Sequence, residues 1–152
     1  MKKLIFIAAF LLAVTVSLMA QQYEYNVVTS IESIVPMGIG RSRIVQQKQP
    51  MDVSKFTTSR TSGKDSKQGD VNRSETKIDN FDETKLLNFY SGVGINFQNI
   101  ASNDALITSK LNQMSTDGWE LFTVVSGVES DAGKDDRNGI FITRYVFRRL
   151  KK

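Results

Sequence analysis

The part of the sequence that most constrains the fold is residues 103–122, which read as a helix, its stop signal and the beginning of a strand. The apolar side chains at the spacing of one helix face are Leu106, Ile107, Leu111 and Met114. Asn103 or Ser102 is typical of an N-cap, and Asp104 would then lie where the helix dipole favours an anion. The pattern predicts a helix that begins near residue 103 and packs through this apolar face.

Gly118 predicts the end of this helix, because glycine readily takes the left-handed conformation that follows a helix C-terminus. Trp119 comes next, where a hydrophobic side chain contacts the last helical turn, so we interpret it as a core residue rather than a ligand-stacking one. Glu120 and Leu121 then begin a strand. We take Gly118, Trp119, Glu120 and Leu121 as the main structural motif of the chain, with no catalytic, cofactor-binding or metal-binding role.

Two segments that include or follow this motif, residues 119–126 and 139–149, have the β-branched and aromatic composition of strands. The polar residues 127–138 between them predict a turn. We therefore expect the two strands to pair as an antiparallel hairpin.

An earlier strand is predicted by the period-two alternation of residues 23–31. One of its faces would carry Tyr23, Tyr25, Val27, Thr29 and Ile31. Residues 41–45 and 93–98 could extend the sheet as short strands. The expected fold class is α+β, with one helix packed on a small antiparallel sheet of three to five strands.

The N-terminus has the order of a secretory signal peptide: Lys2 and Lys3, an apolar run over residues 4–14, and small residues ending at Ala20. We predict that residues 1–20 are a signal peptide, so that the protein is exported to the periplasm or the exterior and keeps no integral membrane span. The alternative is a retained membrane anchor, for which residues 4–20 are at the short end of the length required.

The remaining residues, 21–152, are enough for one domain and hardly enough for two. Within them, residues 46–85 are dominated by Gln, Lys, Ser, Thr, Asp, Asn and Gly. Such a segment buries too little apolar surface to offset the entropy it would lose on ordering. The sequence therefore predicts a single α+β domain with a polar, flexible insertion at 46–85.

The charge balance gives no reason to expect a nucleic-acid partner. The chain has 20 basic and 16 acidic residues, and without Lys2 and Lys3 the balance is 18 basic against 16 acidic. So small an excess, with no basic stripe, does not supply the electrostatic footprint of a nucleic-acid-binding domain.

The catalytic possibilities are limited because the chain contains no histidine and no cysteine. Ser-His-Asp and Cys-His nucleophile systems and the usual zinc sites are therefore excluded. Glu120 should pair with Arg144 or Arg148 across the strands rather than act in catalysis. The acidic loop after residue 128 fails the calcium-loop pattern because Lys134 occupies its first ligand position. We predict no enzymatic activity, cofactor or metal.

Three stretches together resemble the domain-of-unknown-function 4177 family: YEYNVV at 23–28, LNQM followed by DGWEL at 111–121, and YVFRR at 145–149. Members of that family have an aromatic first strand, a helix, a Gly-Trp-Glu-Leu step and a closing strand with a basic end. This chain departs from that compact pattern in its long polar insertion and its leader. The resemblance implies a fold and no catalytic activity.

These observations favour a non-enzymatic protein-binding or assembly module of the cell envelope or exterior. Its partner would be another protein or a second copy of the chain, meeting the insertion or an exposed sheet edge. The alternative, from another class, is a small hydrolase or carbohydrate-processing enzyme that uses carboxylates. Glu120→Gln separates the two, because only an enzyme should lose activity while staying folded.

Overall fold

A computed structural model of the protein describes residues 22–35, 41–64, 66–129 and 139–151. The predicted signal peptide, residues 1–20, lies outside the described residues. Most of the predicted hairpin turn, including the acidic loop considered for calcium, also lies outside them.

The described residues form seven strands and one α-helix. In chain order these are β1 (Tyr23–Ser33), β2 (Arg43–Gln47), β3 (Phe81–Lys85), β4 (Tyr90–Ser91), β5 (Gly94–Ile95), α1 (Phe97–Thr116), β6 (Glu120–Glu129) and β7 (Ile140–Leu150). Single 3₁₀ turns at Val53–Phe56 and Lys67–Asp70 lie between β2 and β3.

Five strands form one sheet in the order β3-β2-β1-β7-β6, and every neighbouring pair is antiparallel. β1 and β7 pair along their full lengths at the centre of the sheet. The predicted β6–β7 hairpin is present. Strands β4 and β5 form a separate two-stranded ribbon. The α+β fold class predicted from the sequence is confirmed.

The core lies between α1 and one face of this sheet. Its buried apolar members are Val28, Ile44, Leu86, Met114 and Phe147. Ile107 and Leu111 of α1 pack against them, as the helix periodicity predicts. Leu106, which the periodicity places on the same helix face, is 39% exposed instead.

The predicted start of the helix is wrong, because α1 begins six residues earlier, at Phe97. Asn96 is the N-cap, and its side chain accepts a hydrogen bond from the Asn99 amide at 3.1 Å. Asn103 and Asp104 therefore lie inside the helix rather than at its N-terminus. Asn103 is fully buried and uses its amide on another part of the chain, a contact that local sequence rules do not reveal.

The predicted end of the helix is confirmed in detail. Gly118 has φ of +81°, in the left-handed region. Its amide donates to the Ser115 carbonyl, and the Trp119 amide donates to the Met114 carbonyl, both at 3.0 Å. This pair of hydrogen bonds is the Schellman motif. Trp119 is half-buried and packs against the core, as expected.

Two further segments differ from their predictions. Residues 41–45 correspond to β2, but residues 93–98 do not join the main sheet, since they divide between the β4–β5 ribbon and the first turn of α1. The predicted insertion at 46–85 contributes both of its ends to the sheet, because residues 46–47 belong to β2 and β3 pairs with β2. β3 has only one large apolar residue, Phe81, so its composition resembles the loop more than a strand.

Candidate functional site

β1 has a mixed apolar and polar face towards the helix and carries further apolar side chains on the opposite face. On the helix side Val28 is 1% exposed, and Ser30 and Glu32 are buried on the same face. On the opposite side Tyr25 is 54% exposed and Val27 is 36% exposed. A strand with only one covered face normally keeps its apolar residues on that face and its polar residues on the other. The outward face of β1 therefore has the composition of a surface that is covered.

The neighbouring strands continue this apolar surface. Val27 lies opposite Val146 of β7, and Val146 lies opposite Thr123 of β6. On the other side of β1, strands β2 and β3 bring Phe81 into the same row of the sheet. We call the sheet surface that faces away from α1 the open face. Among the described residues, its exposed large apolar side chains are Tyr25, Val27, Phe81, Phe122, Val125 and Leu150.

An aromatic and arginine cluster occupies one end of the open face. The Arg148 guanidinium lies 4.8 Å from the ring centre of Tyr23 and 4.7 Å from that of Phe122. The rings of Phe122 and Tyr25 meet edge to face at 6.0 Å. Cation–π and edge-to-face contacts of this kind hold aromatic side chains in fixed orientations at the surface.

The carboxylate of Glu120 completes this cluster. Glu120 and Arg148 are directly opposite in the β6–β7 register, and Arg148 Nε donates to Glu120 Oε2 at 3.0 Å. The predicted cross-strand ion pair is therefore present, with Arg148 rather than Arg144 as the partner. The hydrogen bond and the positive charge of Arg148 lower the pKa of Glu120 below its ordinary value. Glu120 is exposed, so this pair contributes orientation rather than much stability.

The four residues of the predicted structural motif have different surroundings. Gly118 ends α1, and Trp119 packs on the core with the Arg149 guanidinium 4.2 Å from its ring centre. Arg149 in turn forms an ion pair with Glu24. Leu121 lies opposite the core residue Phe147 yet stays 44% exposed. A shallow cavity of about 460 Å³ lies at this end of the sheet, between the helix stop and the ends of β1 and β7. Its lining residues are Tyr23, Asp117, Gly118, Glu120, Arg148, Arg149 and Leu150.

β6 forms one edge of the sheet and is exposed along its whole length. Its sequence places apolar residues on both faces, as central strands do. The exposed large apolar residues of β6 are Leu121, Phe122, Val124, Val125 and Val128. Sequence composition identifies this run as a strand, and only the sheet order shows that it lies at an edge.

The opposite edge of the sheet, β3, is short and charged. Its Glu83 pairs with Arg43 at 2.7 Å, and its Asp82 pairs with Lys48 at 2.7 Å. Short edges with charged side chains are a common way of preventing unwanted strand pairing. The two edges of the sheet therefore differ in kind.

A buried polar cluster beneath α1 was not foreseen from the sequence. Asn103 Oδ1 accepts from the Leu87 amide at 2.7 Å, and its Nδ2 donates to the Leu87 carbonyl at 2.8 Å and to Glu32 Oε1 at 2.9 Å. Burial raises the pKa of Glu32, the Asn103 hydrogen bond opposes this, and the nearby charge of Asp104 adds to it. This cluster is enclosed between helix and sheet, so we assign it to the fold rather than to recognition.

The described residues contain no group of three or more acidic side chains that could hold a metal ion. Within the same residues, no helix combines the length and the apolar character needed to cross a bilayer.

Comparison with known proteins gives no relative: no family model, curated protein or solved structure matches this chain. The resemblance to the domain-of-unknown-function 4177 family therefore remains a prediction drawn from the motifs at 23–28, 111–121 and 145–149.

Proposed function

We propose that this protein is a non-enzymatic binding module that docks another protein on the open face of its sheet. The observation that carries the proposal is the orientation of β1, which exposes Tyr25 and Val27 on the face away from α1 while Ser30 and Glu32 are buried on the helix side. A sheet needs a layer on each apolar face. Here α1 supplies one layer, and we assign the other to a partner.

The composition of the open face favours a protein with a complementary apolar surface. Tyr, Phe and Arg are enriched at the centres of protein interfaces, and the Tyr23, Phe122 and Arg148 cluster joins these types in one place. Arg148 already has Glu120 as its counter-ion, so the cluster offers little free charge to a polyanion. The proposed site of action, the cell envelope or exterior, follows from the signal-peptide pattern of residues 1–20.

The rival hypothesis, a carboxylate-dependent hydrolase, gains no support from Glu120. A general acid needs a carboxyl whose pKa is raised towards the working pH. The pKa of Glu120 is lowered, and its side chain is exposed and held by Arg148.

The experiment uses the full chain, expressed in a bacterial host and purified with or without residues 1–20, depending on whether the host removes them. It first captures binding proteins from envelope and secreted fractions of the native host. The captured protein is then purified and titrated against wild type, Val27→Glu and Leu106→Glu. Val27 and Leu106 are matched in exposure, at 36% and 39%, but lie on the open face and on the helix respectively.

We expect Val27→Glu to weaken binding at least about tenfold, because it buries a charge at the centre of the interface, while Leu106→Glu binds like wild type. Equal binding by all three proteins would assign the partner to another surface and refute the proposal. Capture of no partner by wild type would count against it as well. Loss of a measured hydrolytic activity in a folded Glu120→Gln variant would establish the rival hypothesis.

A further inference from the structure

The edge of the sheet at β6 offers a second surface, separate from the centre of the open face. All ten residues of β6 are exposed, and between Glu120 and Glu129 the strand carries no charged side chain. Natural sheet edges are protected by lysine, proline, a β-bulge, a short length or a cover. β3, at the other edge, has such protection in its length of five residues and its ion pairs. On β6 the only such feature is a bulge between Leu121 and Thr123, so the strand from Thr123 onwards is regular and open.

We propose that β6 pairs with β6 of a second copy of this chain, in antiparallel orientation, so that two five-stranded sheets become one. A strand that pairs antiparallel with its own copy satisfies the same backbone groups on both sides, which is the self-complementary contact that two-fold symmetry requires. Central residues Val124 and Val125 place one apolar side chain on each face at such a contact.

The symmetry also limits the pairing register. A two-fold axis perpendicular to the sheet keeps each face on its own side, so one residue of β6 must lie opposite its own copy. With Val124 or Val125 at the axis, Glu120 and Glu129 do not face each other across the contact. Like charges directly opposite would destabilise the pair. The central apolar registers are therefore compatible with the charges at the ends of the strand.

The size of the contact indicates a reversible dimer. About half of each large apolar side chain of β6 is exposed, which leaves roughly 400 Å² of apolar surface per copy. The backbone edge adds to this, but the total stays at or below the roughly 800 Å² per partner of a standard interface. We expect association in the micromolar range rather than an obligate dimer.

Dimerisation through β6 would enlarge the proposed docking surface. The dimer does not require that docking proposal to be correct. Because the axis is perpendicular to the sheet, the open faces of both copies point in the same direction. The Val27 residues of the two copies would lie on one continuous sheet, two strands from the new contact on each side.

The first test measures the oligomeric state of the full chain by sedimentation velocity over a range of concentrations. The variant is Val124→Lys with Val128→Lys, two β6 residues on the helix side of the sheet. The matched control is Met51→Lys with Val53→Lys, which adds the same charge at exposed apolar residues outside the sheet. We expect wild type and control to dimerise alike and the β6 variant to dissociate at least about tenfold more readily, because four lysines would replace apolar side chains at the contact and charged residues on an edge strand oppose pairing. Circular dichroism verifies that the variant is folded.

The second test locates the axis by cysteine cross-linking, which is clean because the chain has no cysteine of its own. Cysteine replaces Thr123, Val124, Val125 and Ser126 one at a time, and a short bismaleimide reagent joins neighbouring thiols. Each residue away from the axis separates the two copies by about 7 Å, so the yield should peak at one residue and fall on both sides.

A monomeric wild-type protein at every concentration would overturn the inference, as would a dimer that the β6 lysines leave intact or a cross-linking profile without a peak. These outcomes are distinct from failure of the proposed function. A monomer that still binds its partner through Val27 removes only the dimer, whereas a dimer with no partner on the open face removes only the docking proposal.

Discussion

Asn103 connects three parts of the fold through one buried side-chain amide. It accepts a hydrogen bond from the Leu87 amide, and it donates to the Leu87 carbonyl and to Glu32 of β1. Its position in the middle of α1 conflicts with the preference of asparagine for helix caps. Sequence rules for helix termini use local spacing alone, so they predict a cap at Asn103 or Ser102 rather than at Asn96. The long-range partners of Asn103 explain why it occurs inside the helix.

Replacing Asn103 by alanine should destabilise the protein by about 3 kcal/mol. The substitution leaves the Leu87 amide and carbonyl without their partners and removes the donor to the buried Glu32 carboxylate. Urea denaturation followed by circular dichroism measures the change. Asn112→Ala, an exposed asparagine on the same helix, serves as the control and should cost less than about 1 kcal/mol. Equal losses for the two variants would contradict the structural role of Asn103.

Glu32 should make the stability of the protein depend on pH. Burial raises its pKa above the ordinary 4.5, so between that value and the folded-state pKa the folded protein binds more protons than the unfolded chain. The free energy of unfolding therefore falls as the pH rises through this window. Glu32→Gln keeps a side-chain oxygen that accepts from Asn103 but removes the titrating carboxyl group.

Denaturant unfolding at a series of pH values, for wild type and Glu32→Gln, isolates this contribution. We expect the free energy of unfolding of wild type to fall relative to that of Glu32→Gln from pH 4.5 upwards. The difference should become constant above the folded-state pKa of Glu32. A difference that stays constant with pH would show that the carboxyl titrates alike in both states. Glu83→Gln, an exposed carboxylate on β3, controls for loss of a charge.

At the scale of elements, the best predicted feature is the end of α1 and the least well predicted is the role of β1. The helix stop depends on neighbouring residues, so Gly118 and Trp119 specify it locally. The alternation of β1 correctly indicates a strand, but it cannot tell which face meets the helix, because that depends on the elements that pack there. In this protein α1 covers the face with Val28, Ser30 and Glu32, and Tyr25 and Val27 lie on the other face. The sequence therefore shows which residues of β1 share a face, but not which face lies away from the helix.

The helix stop makes a quantitative test possible. Gly118→Ala should destabilise the protein by about 1 kcal/mol, since an added Cβ meets no atom within 4 Å and the penalty comes only from φ of +81°. Gly92→Ala is the control, because it is equally open and its φ lies outside the left-handed region. Thermal or chemical unfolding of both variants gives the comparison. A loss for Gly92→Ala as large as that for Gly118→Ala would argue against a conformational cause.

At the scale of the whole molecule, the sheet has more apolar surface than α1 covers. Among the described residues, the buried cluster between helix and sheet consists of Val28, Ile44, Leu86, Met114 and Phe147. Large apolar residues remain exposed on the open face and along β6. These two surfaces, and their contrast with the charged β3 edge, are the observations from which we propose a partner on the open face and a second copy at β6.

The long connection between β2 and β3 should be dispensable for this fold. None of its described residues between 49 and 79 is buried, and the Lys48 amide already donates to the Asn80 carbonyl at 3.1 Å, which closes its base. Replacing residues 49–79 by Asn-Gly would give a two-residue hairpin between β2 and β3. The shorter loop loses less entropy on folding, so we expect the free energy of unfolding to rise by up to about 2 kcal/mol.

Denaturant unfolding of the shortened chain measures this change, and its circular dichroism spectrum should keep the strand and helix signals of wild type. A control that replaces residues 46–85, and so removes β3 and the end of β2, should be clearly less stable because the sheet loses an edge strand and β2 loses its partner. If shortening at 49–79 were as damaging as removal of 46–85, the connection would have to contribute to the packed structure. If only the longer deletion is damaging, residues 49–79 are not required for the stability of the fold.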